Sequence, residues 1–363
     1  MTRLRDLGFG TGATGPHNAI TDVAGVQVGH VDIHTADLAT GLTAVVPYPT
    51  DIAERKLFTG RFAVDGGAAM TGLGVAEDFG TFSSPIVLAP APAVGQVYEG
   101  LIAYGLARDP GLTTEAGWPP VIVGVDDADY NDAAVTYAAV AQVHVAAALE
   151  NAGAGPIAMG NAGIGGGLQA FGYKGGLGTA SRRTDYGTVG VLVAVNGGAP
   201  GDLRLDGQVL PAGSGAGAAQ NFAMAVATDA PLIPRQLARL AERAALGLAR
   251  VGLWSPATRE GSTVAFSTTG IVQEERTGPT AEVRLVDEDG LYPLFAAAAA
   301  AAEEAVFVGL VAAEAAAGLE PLAPDAVRQL IEVRGAGIGA TIPRRALTSR
   351  SIYSLGMART SGR

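Results

Sequence analysis

The chain has 363 residues, with 24 Lys and Arg against 35 Asp and Glu, and its formal net charge is −11. A surface this acidic repels phosphate backbones, so we expect no nucleic-acid partner. The sequence contains no cysteine, which excludes disulfides, thiolate zinc sites, iron–sulfur clusters and cysteine nucleophiles. The four histidines lack the spacing of a helical zinc motif. We therefore predict neither a metal nor another cofactor.

The hydrophobic pattern argues against membrane insertion. Residues 1–23 hold no apolar run of the length that a signal peptide needs. The longest apolar stretch, residues 294–311, is interrupted by Glu303 and Glu304, which is typical of a buried Ala-rich helix rather than a membrane span. We expect a cytoplasmic protein without a membrane partner.

Short β-type runs alternate with Ala-rich stretches along the chain. Apolar runs rich in β-branched residues predict strands over residues 26–31, 43–47, 84–88, 121–125, 187–195, 222–228, 263–267 and 282–286. Helices are predicted over residues 94–107, 133–151, 234–251 and 293–317. Three of these helices are Ala-rich on nearly every side, which favours burial between layers.

Three further stretches break this alternation. Residues 153–178 are rich in glycine, and residues 199–220 form a Gly/Ala/Pro-rich loop without hydrophobic periodicity. A loop of that length inside a compact domain is typically functional or mobile. The end of the chain is Arg-rich and lacks acidic residues. We predict one domain over residues 1–330 and an Arg-rich C-terminal extension over residues 331–363.

The first candidate motif is GNAGIGGG, residues 160–167. Its glycine order does not fit a dinucleotide-binding loop, and the Gly-Lys-Ser/Thr of a phosphate-binding loop is missing. The side-chain amide of Asn161 could instead donate a hydrogen bond to a developing oxyanion. The alternative is a Gly-rich turn that packs against a sheet.

The second candidate is the acidic cluster VDDADYND, residues 125–132, at the end of a predicted strand. Asp126, Asp127 and Asp129 could bind a cation or an ammonium group, although the calcium-loop pattern is absent. The alternative is a solvated loop that precedes the next helix, with Asp132 as its N-cap.

The third candidate is the passage from the Gly-rich loop into the strand near residue 221. A residue at such a passage is held rigidly at a sheet end, which suits a nucleophile. Gln220 and Asn221 stand there and neither is a nucleophile, whereas Ser214 lies within the loop itself.

Several strings in order make the chain similar to a known family. These strings are NAITDVAGVQVGH (18–30), TGLTAVVP (40–47), GNAGIGGGL (160–168), FGYKGGLGTASR (171–182), TVGVLVAVN (188–196), ATDAPL (227–232), LGLARVG (246–252), AFST (265–268), and EEA followed by LVAAE (303–314). They resemble the DmpA-like family of N-terminal-nucleophile hydrolases, which includes L-aminopeptidase/D-esterases, β-peptidyl aminopeptidases and nylon-oligomer hydrolases. The resemblance covers residues 1–330.

The resemblance implies an α+β fold, a four-layer αββα sandwich. In active relatives the precursor cuts itself before a Ser or Thr, whose hydroxyl then serves as nucleophile and whose α-amine serves as base. The family places that residue seven positions before the Thr of the ATDAPL string. Counting back from Thr228 gives Asn221, and a carboxamide cannot attack an amide carbonyl as a hydroxyl does.

Other family positions also differ in this chain. Ungapped counting puts Arg259 and Gly261 where the family has a Ser or Asp and then an acidic residue, whereas one gap would bring in Glu260 and Ser262. The Glu that receives a substrate ammonium is replaced by Gly124 or Val125. A nearby Tyr is replaced by Asp126, and a late-helix Asn is replaced by Val308 or a neighbour. Of the family's chemical residues, Asn161 alone matches.

Three hypotheses follow for the function. A repurposed enzyme could act on a small amino-acid-like or biosynthetic intermediate by elimination, cyclisation or transfer. Its site would use Asp126, Asp127 or Asp129 as base or cation ligand, and Arg259 or Arg182 as anion ligand.

The second hypothesis is an active aminopeptidase or amidase whose nucleophile is displaced to Ser214. The third is a non-catalytic subunit that docks a partner protein. In each case the resemblance implies assembly beyond a monomer, either as a homo-oligomer or as a complex with a partner subunit.

Overall fold

The computed structural model describes residues 4–47, 55–64, 69–112, 119–217, 221–253, 260–273, 280 and 282–337. Its strands are β1 (Gln27–Thr35), β2 (Leu38–Val46), β3 (Arg55–Ala63), β4 (Met70–Thr71), β5 (Thr81–Phe82), β6 (Ile86–Pro90), β7 (Val121–Val125), β8 (Gln169–Ala170), β9 (Tyr173–Lys174), β10 (Leu177–Thr184), β11 (Gly187–Asn196), β12 (Arg204–Leu205), β13 (Gln208–Val209), β14 (Asn221–Thr228) and β15 (Ser262–Gln273). Its α-helices are α1 (Leu73–Phe79), α2 (Val94–Arg108), α3 (Ala133–Ala139), α4 (Gln142–Glu150), α5 (Pro234–Arg250), α6 (Glu288–Ala312) and α7 (Pro324–Gly337).

Two mixed sheets form the centre of the molecule. The first has the strand order β1-β2-β6-β7-β4, and the second has the order β10-β11-β14-β15-β3-β5. β6 and β7 pair in parallel in the first sheet, and β14 and β15 pair in parallel in the second. Two small hairpins, β8–β9 and β12–β13, lie outside these sheets.

The core consists of three hydrophobic layers, and the alternation of side chains along a strand decides which of two neighbouring layers each side chain enters. In β14, Ala223, Ala225 and Ala227 pack between the two sheets, whereas Phe222 and Met224 face α5 and α6. A third layer packs the first sheet against α2 and α4. The order helix, sheet, sheet, helix is the αββα sandwich that the resemblance implied.

Gly178 shows why this core needs glycine. Its strand, β10, lies so close to α6 that a Cβ at Gly178 would overlap the carbonyl oxygen of Ala305. An Ala-rich helix allows this close approach because its methyl side chains keep the layer thin.

Most predicted strands are present, and one is absent. Residues 121–125 form β7 with the predicted bounds, and the strand predicted over residues 222–228 begins one residue earlier, at Asn221. The strand predicted over residues 282–286 is wrong, because these residues form no ladder and both Val283 and Leu285 are exposed.

The predicted helices differ from the observed ones at their ends. Residues 133–151 form two helices, α3 and α4, that meet at a 68° bend. Asp132 caps α3 by accepting hydrogen bonds from the backbone N–H groups of Ala134 and Val135. The last predicted helix begins at Glu288 rather than at residue 293, because the side chain of Asp287 caps it there.

Helix α6 is the one helix of the described part that is long and apolar enough to cross a membrane. Its apolar stretch is 72% buried by the rest of the protein, as in the core helix of a water-soluble fold. Helix α7 runs across the predicted domain boundary at residue 330, and its Leu330 and Ile331 pack against the core. Of the predicted extension, residues 338–363 lie outside the described part.

Candidate active site

Asn221 is the first residue of β14 and is 5% exposed. Residues 223, 225 and 227 of the same strand pack between the two sheets, so the alternation places the side chain of Asn221 on the inter-sheet side. The carboxamide therefore lies at one end of the layer between the sheets.

Asn196 lies directly opposite Asn221, because the last residue of β11 pairs with the first residue of β14. Asn196 is fully buried, and its Oδ1 accepts a hydrogen bond of 2.9 Å from the backbone N–H of Gln169. That bond fixes the orientation of the amide. Neither Nδ2 of Asn196 nor Oδ1 of Asn221 has a hydrogen-bond partner among the described residues.

Ser262 stands on the next strand at the same edge. It begins β15 and pairs with Ala223 of β14, and it is 1% exposed. Its Oγ lies 3.6 Å from Sδ of Met70 in the first sheet, which shows that it also faces the inter-sheet layer. Gly261 precedes it and leaves no room for a Cβ against the ring of Phe222.

The acidic loop follows β7 toward this edge, since Met70 pairs with Val123 of β7. Asp126 is half-buried, and its Oδ1 accepts the N–H of Ala128. Asp129 is exposed. The loop thus offers one half-buried carboxylate next to the end of β7.

Asp127 is 1% exposed. Its Oδ2 accepts hydrogen bonds from Oγ1 of Thr40 at 3.0 Å and from Nδ2 of Asn131 at 2.8 Å. Burial raises the pKa of this carboxyl to about 6, although the two hydrogen bonds oppose the shift. The contacts tie the loop to β2, so Asp127 has a structural role whatever else it does.

Asn161 lies away from Asn221 in the structure. Gly160 pairs with Leu177 of β10, so β10 and β11 stand between this turn and β14. The Asn161 amide exchanges two hydrogen bonds of 3.2 Å with the backbone of Glu314. These bonds favour the alternative in which the Gly-rich turn packs against the sheet and the end of α6.

Ser214 is exposed, and its neighbours are bound to the β8–β9 hairpin. The N–H of Gly213 donates to the carbonyl of Phe171, and the N–H of Gly215 donates to the carbonyl of Gly172. The structure therefore places Ser214 in a docked surface loop and not at the sheet end.

Arg182 is separated from the Asn221 edge by the length of the sheet, because it pairs with Val189 near the start of β11. Its side chain is buried against α6 in an ion pair with Glu304. The guanidinium group of Arg182 is thus already paired with a carboxylate of the protein. Arg259 lies outside the described residues, and Glu260 is half-buried two positions before Ser262.

Two residues of the edge, Asn196 and Gln169, were not predicted from the sequence. Asn196 ends the β-branched run TVGVLVAVN, and a polar residue at the end of a buried strand was the available signal. Gln169 gave no such signal, because its role depends on the backbone N–H that binds Asn196.

Lys174 was also missed. It is fully buried, and its Nζ donates to the carbonyls of Gly165, Leu168 and Gly175 at 2.8–2.9 Å. Burial lowers the pKa of Lys174 to about 7. Through these carbonyls it holds together the Gly-rich turn and the hairpin that carries Gln169.

The described residues contain no group of three metal-ligating side chains. A cavity of about 420 Å³ lies elsewhere, between the N-terminal segment and α6, and is lined among others by Arg5, Asn18, Glu304 and Val308. It is separate from the edge at Asn221.

Comparisons with known proteins agree with this architecture. Residues 18–322 match the model of peptidase family S58. The β-peptidyl aminopeptidase BapA of Sphingosinicella xenopeptidilytica is 35% identical over 349 residues, which cover 87% of this chain and 86% of that protein.

Two solved structures share the fold. The PH0078 protein of Pyrococcus horikoshii has a TM-score of 0.85 at 31% identity, and the L-aminopeptidase D-Ala-esterase/amidase of Ochrobactrum anthropi has a TM-score of 0.82 at 30% identity. Each comparison covers 92% of this chain and 99% of the other. The latter protein is a prototype of the serine aminopeptidases with a variant of the Ntn-hydrolase fold. The chain belongs to peptidase family S58, with the Ntn-hydrolase fold of its aminopeptidases.

Proposed function

We propose that this chain acts on small, amino-acid-like amides at the edge where β14 begins, without cutting itself before residue 221. The observation that carries the proposal is that Asn221 begins β14 beside the buried Asn196. The relatives are named for aminopeptidase, esterase and amidase activities, which supports a substrate with an amide bond.

The side chain at residue 221 restricts the chemistry. Self-cleavage in this fold needs a hydroxyl or thiol that attacks the preceding carbonyl, and it releases the α-amine that afterwards serves as base in catalysis. A carboxamide nitrogen is not nucleophilic enough for this step, because its lone pair is delocalised into the carbonyl. Asn221 can therefore bind a substrate but cannot form an ester with it.

Acid–base chemistry is what the remaining side chains support. Asp126 is half-buried at the end of β7, and the pKa of Asp127, raised to about 6, lies close to neutral pH. A carboxyl whose pKa lies close to the working pH is suited to taking up and returning a proton. Elimination or cyclisation of a small substrate needs a group that takes up one proton and returns it to the leaving group, and a transfer also needs a second substrate that accepts the transferred group.

The first test is the intact mass of the purified chain after long incubation. We expect a single species of 36.4 kDa. Two fragments that divide between residues 220 and 221 would contradict the proposal. Fragments that divide before Ser214 would support the displaced-nucleophile hypothesis, with Ser214→Ala as the variant that should then abolish cleavage.

The second test concerns Asp126. Once turnover is detected with a panel of amino-acid amides, Asp126→Asn should lower kcat by about 100-fold or more, as expected for a lost acid–base group. Asp185→Asn, an exposed carboxylate in the β10–β11 turn, is the matched control and should leave kcat unchanged. Equal turnover of both variants would overturn the assignment of Asp126. If a purified partner protein were required for any turnover, the subunit hypothesis would replace this one.

A further inference from the structure

The cavity of about 420 Å³ lies beside β10, the edge strand of the second sheet. Its walls come from the N-terminal segment, from Thr179 of β10, from the turn before Gly160 and from α6. Strand β11 separates β10 from β14, so the chemistry proposed for the Asn221 edge does not use this cavity. Cavities of roughly 300–1,000 Å³ are the size at which proteins hold small molecules.

One end of the cavity is charged. Glu304 of α6 is fully buried, and its carboxylate accepts hydrogen bonds from the guanidinium groups of Arg5 and Arg182. Nδ2 of Asn18 donates to the same carboxylate at 2.6 Å. Two guanidinium groups thus share one carboxylate, which leaves an excess of one positive charge at this end.

The neighbouring acidic residues do not cancel this charge. Glu303, the next acidic residue on α6, forms its own ion pair with Arg250 at 3.0 Å. Asp6 lines the cavity but is exposed, so water and salt screen its charge. The cluster around Glu304 is largely buried, and a charge there acts more strongly than at the surface.

Arg5 is the member of the cluster that a ligand can reach, since it lines the cavity and its side chain is 22% exposed. A guanidinium group has five N–H donors. Nε and Nη2 of Arg5 bind Glu304, Nη2 also donates to the carbonyl of Thr11, and Nη1 donates to the carbonyl of Gly12. Among the described residues these contacts leave one N–H of Nη1 for an acceptor on a ligand.

The other end of the cavity is apolar. Glu304, Val308 and Val311 follow one another at helical spacing on one face of α6, and all three line the cavity. Seven residues of helix span about 10 Å. Gly160 contacts the carbonyl of Ala312 so closely that it has no room for a Cβ, which places the neighbouring Met159 beside the end of α6. The lining therefore changes from charged to apolar along the helix.

We propose that this cavity binds a small amphipathic monocarboxylate. The carboxylate accepts from Arg5, and an apolar chain of about six to eight carbons follows Val308 and Val311 toward Met159, over the 10 Å that the helix spans. An ammonium group would meet the excess positive charge, and a neutral head group would lack the charge-assisted hydrogen bond. The net charge of the chain is −11, so a preference for an anion must come from this local cluster.

Four probes separate the head group from the chain. Hexanoate, hexanamide and hexylammonium share the apolar chain, whereas acetate keeps only the carboxylate. Each is titrated against the full chain with ¹³C-labelled methionine methyl groups and followed by NMR. We expect hexanoate to bind about tenfold more tightly than hexanamide, the effect of one charge-assisted hydrogen bond. Acetate and hexylammonium should bind at least about tenfold more weakly than hexanoate.

The methionine signals report where the probe binds. Met159 lines the cavity, so its methyl signal should shift in a saturable way, and Met159→Leu identifies that signal. Met70 contacts Ser262 at the edge near Asn221, and its signal should stay in place. A saturable shift of Met70 without a shift of Met159 would place the carboxylate at the other site and overturn the proposal.

Two variants test the two ends of the cavity. Val308→Phe fills the apolar end and should abolish saturable binding of hexanoate. Val209→Phe, at an exposed position of the β12–β13 hairpin, is the matched control and should bind as the wild type does. Arg5→Gln removes the charge and should lower the affinity for hexanoate to that for hexanamide.

Thermal melts verify that each variant folds. Val308→Phe leaves the ion cluster around Glu304 intact and keeps the test valid if Arg5→Gln does not fold. Equal affinity for hexanoate and hexanamide, an unchanged preference in folded Arg5→Gln, or unchanged binding in Val308→Phe would overturn the proposal. These readouts do not depend on turnover, so they are independent of the chemistry at the Asn221 edge.

Discussion

At the scale of single residues, Glu304 shows how a buried charge is satisfied in this protein. Its carboxylate is fully buried in α6 and forms ion pairs with Arg5 and Arg182, and Nδ2 of Asn18 donates to it at 2.6 Å. Desolvation lowers the pKa of Arg182, and Glu304 opposes that shift. The cluster connects the N-terminal segment and β10 to α6.

Removing this carboxylate should be costly. Glu304→Gln leaves the buried Arg182 and the half-buried Arg5 without their counter-charge, and breaking a buried pair in this way costs about 3–5 kcal/mol. The free energy of unfolding, measured by urea denaturation, should fall by that amount. Glu288→Gln breaks the solvent-exposed pair with Arg239 and should cost about 0–1 kcal/mol. Equal losses in the two variants would contradict this account.

Asp127 should make stability depend on pH. Its folded pKa is raised from 3.8 to about 6, so between these values the folded state holds a proton that the unfolded state has released. Stability from this group is therefore present below pH 4 and is lost as the pH rises toward 6. Asp127→Asn cannot titrate, so the difference in unfolding free energy between wild type and variant should shift by roughly 2–3 kcal/mol across that range.

Comparing the unfolding free energies of the wild type and Asp127→Asn cancels the contributions of the other titrating groups. His30 contributes in the opposite direction, because burial lowers its pKa and acid therefore destabilises the fold through it. That contribution is present in both proteins and cancels. A difference that stays constant from pH 4 to pH 6.5 would show that the pKa of Asp127 is unshifted.

The family resemblance placed Asn221 at the start of a strand, seven positions before Thr228, and Asn221 begins β14. Its part in a functional site stays a prediction. The role of Asn161 could not be read from the sequence in this way. Its hydrogen bonds to the backbone of Glu314 join segments more than 150 positions apart, and no local pattern encodes such a contact.

At the scale of elements, small side chains determine how closely α6 packs on the second sheet. Gly178 of β10 faces Ala305, and Gly309 of α6 faces the backbone of Gly176. A helix can approach a strand this closely only where the residue that faces the backbone of the other element has no side chain.

Gly178→Ala should therefore disrupt this contact. The new methyl group would overlap the carbonyl oxygen of Ala305, which belongs to the helix backbone and cannot rotate away. We expect a loss of more than about 3 kcal/mol in urea denaturation, or no folded protein. Gly95→Ala in α2 is the matched control, because nothing lies within 4 Å of its Cβ position. It should be neutral or stabilising by up to about 1 kcal/mol, and a similar loss there would refute the packing argument.

Helices and strands were predicted correctly where a local sequence pattern determines them. β7 and α5 follow from a β-branched run and from a proline at the first helical position. The bend between α3 and α4 was missed because Ala-rich periodicity continues across Val140, which is extended and buried in the outer layer. The false strand at residues 282–286 has alternating hydrophobicity without a neighbouring strand to pair with among the described residues.

At the scale of the whole molecule, the outer helices of the first sheet expose large apolar side chains. Tyr137 of α3 is 60% exposed and Val143 of α4 is 67% exposed, and Val135 and Leu106 add to the same layer. Scattered apolar residues on a surface are ordinary, whereas a contiguous apolar patch typically marks a protein interface. The sequence resemblance implied assembly beyond a monomer, and this layer is the surface on which we expect it.

Light scattering at micromolar concentration should accordingly give a native mass that is a multiple of 36.4 kDa. The double variant Tyr137→Glu with Val143→Glu places two charges on the layer, where desolvating them would oppose association, so its mass should fall toward that of a single chain. Val209→Glu is the control, because Val209 is also exposed, at 51%, but belongs to the separate β12–β13 hairpin. A wild-type mass of one chain, or dissociation by Val209→Glu alone, would show that the α3–α4 layer does not hold copies together.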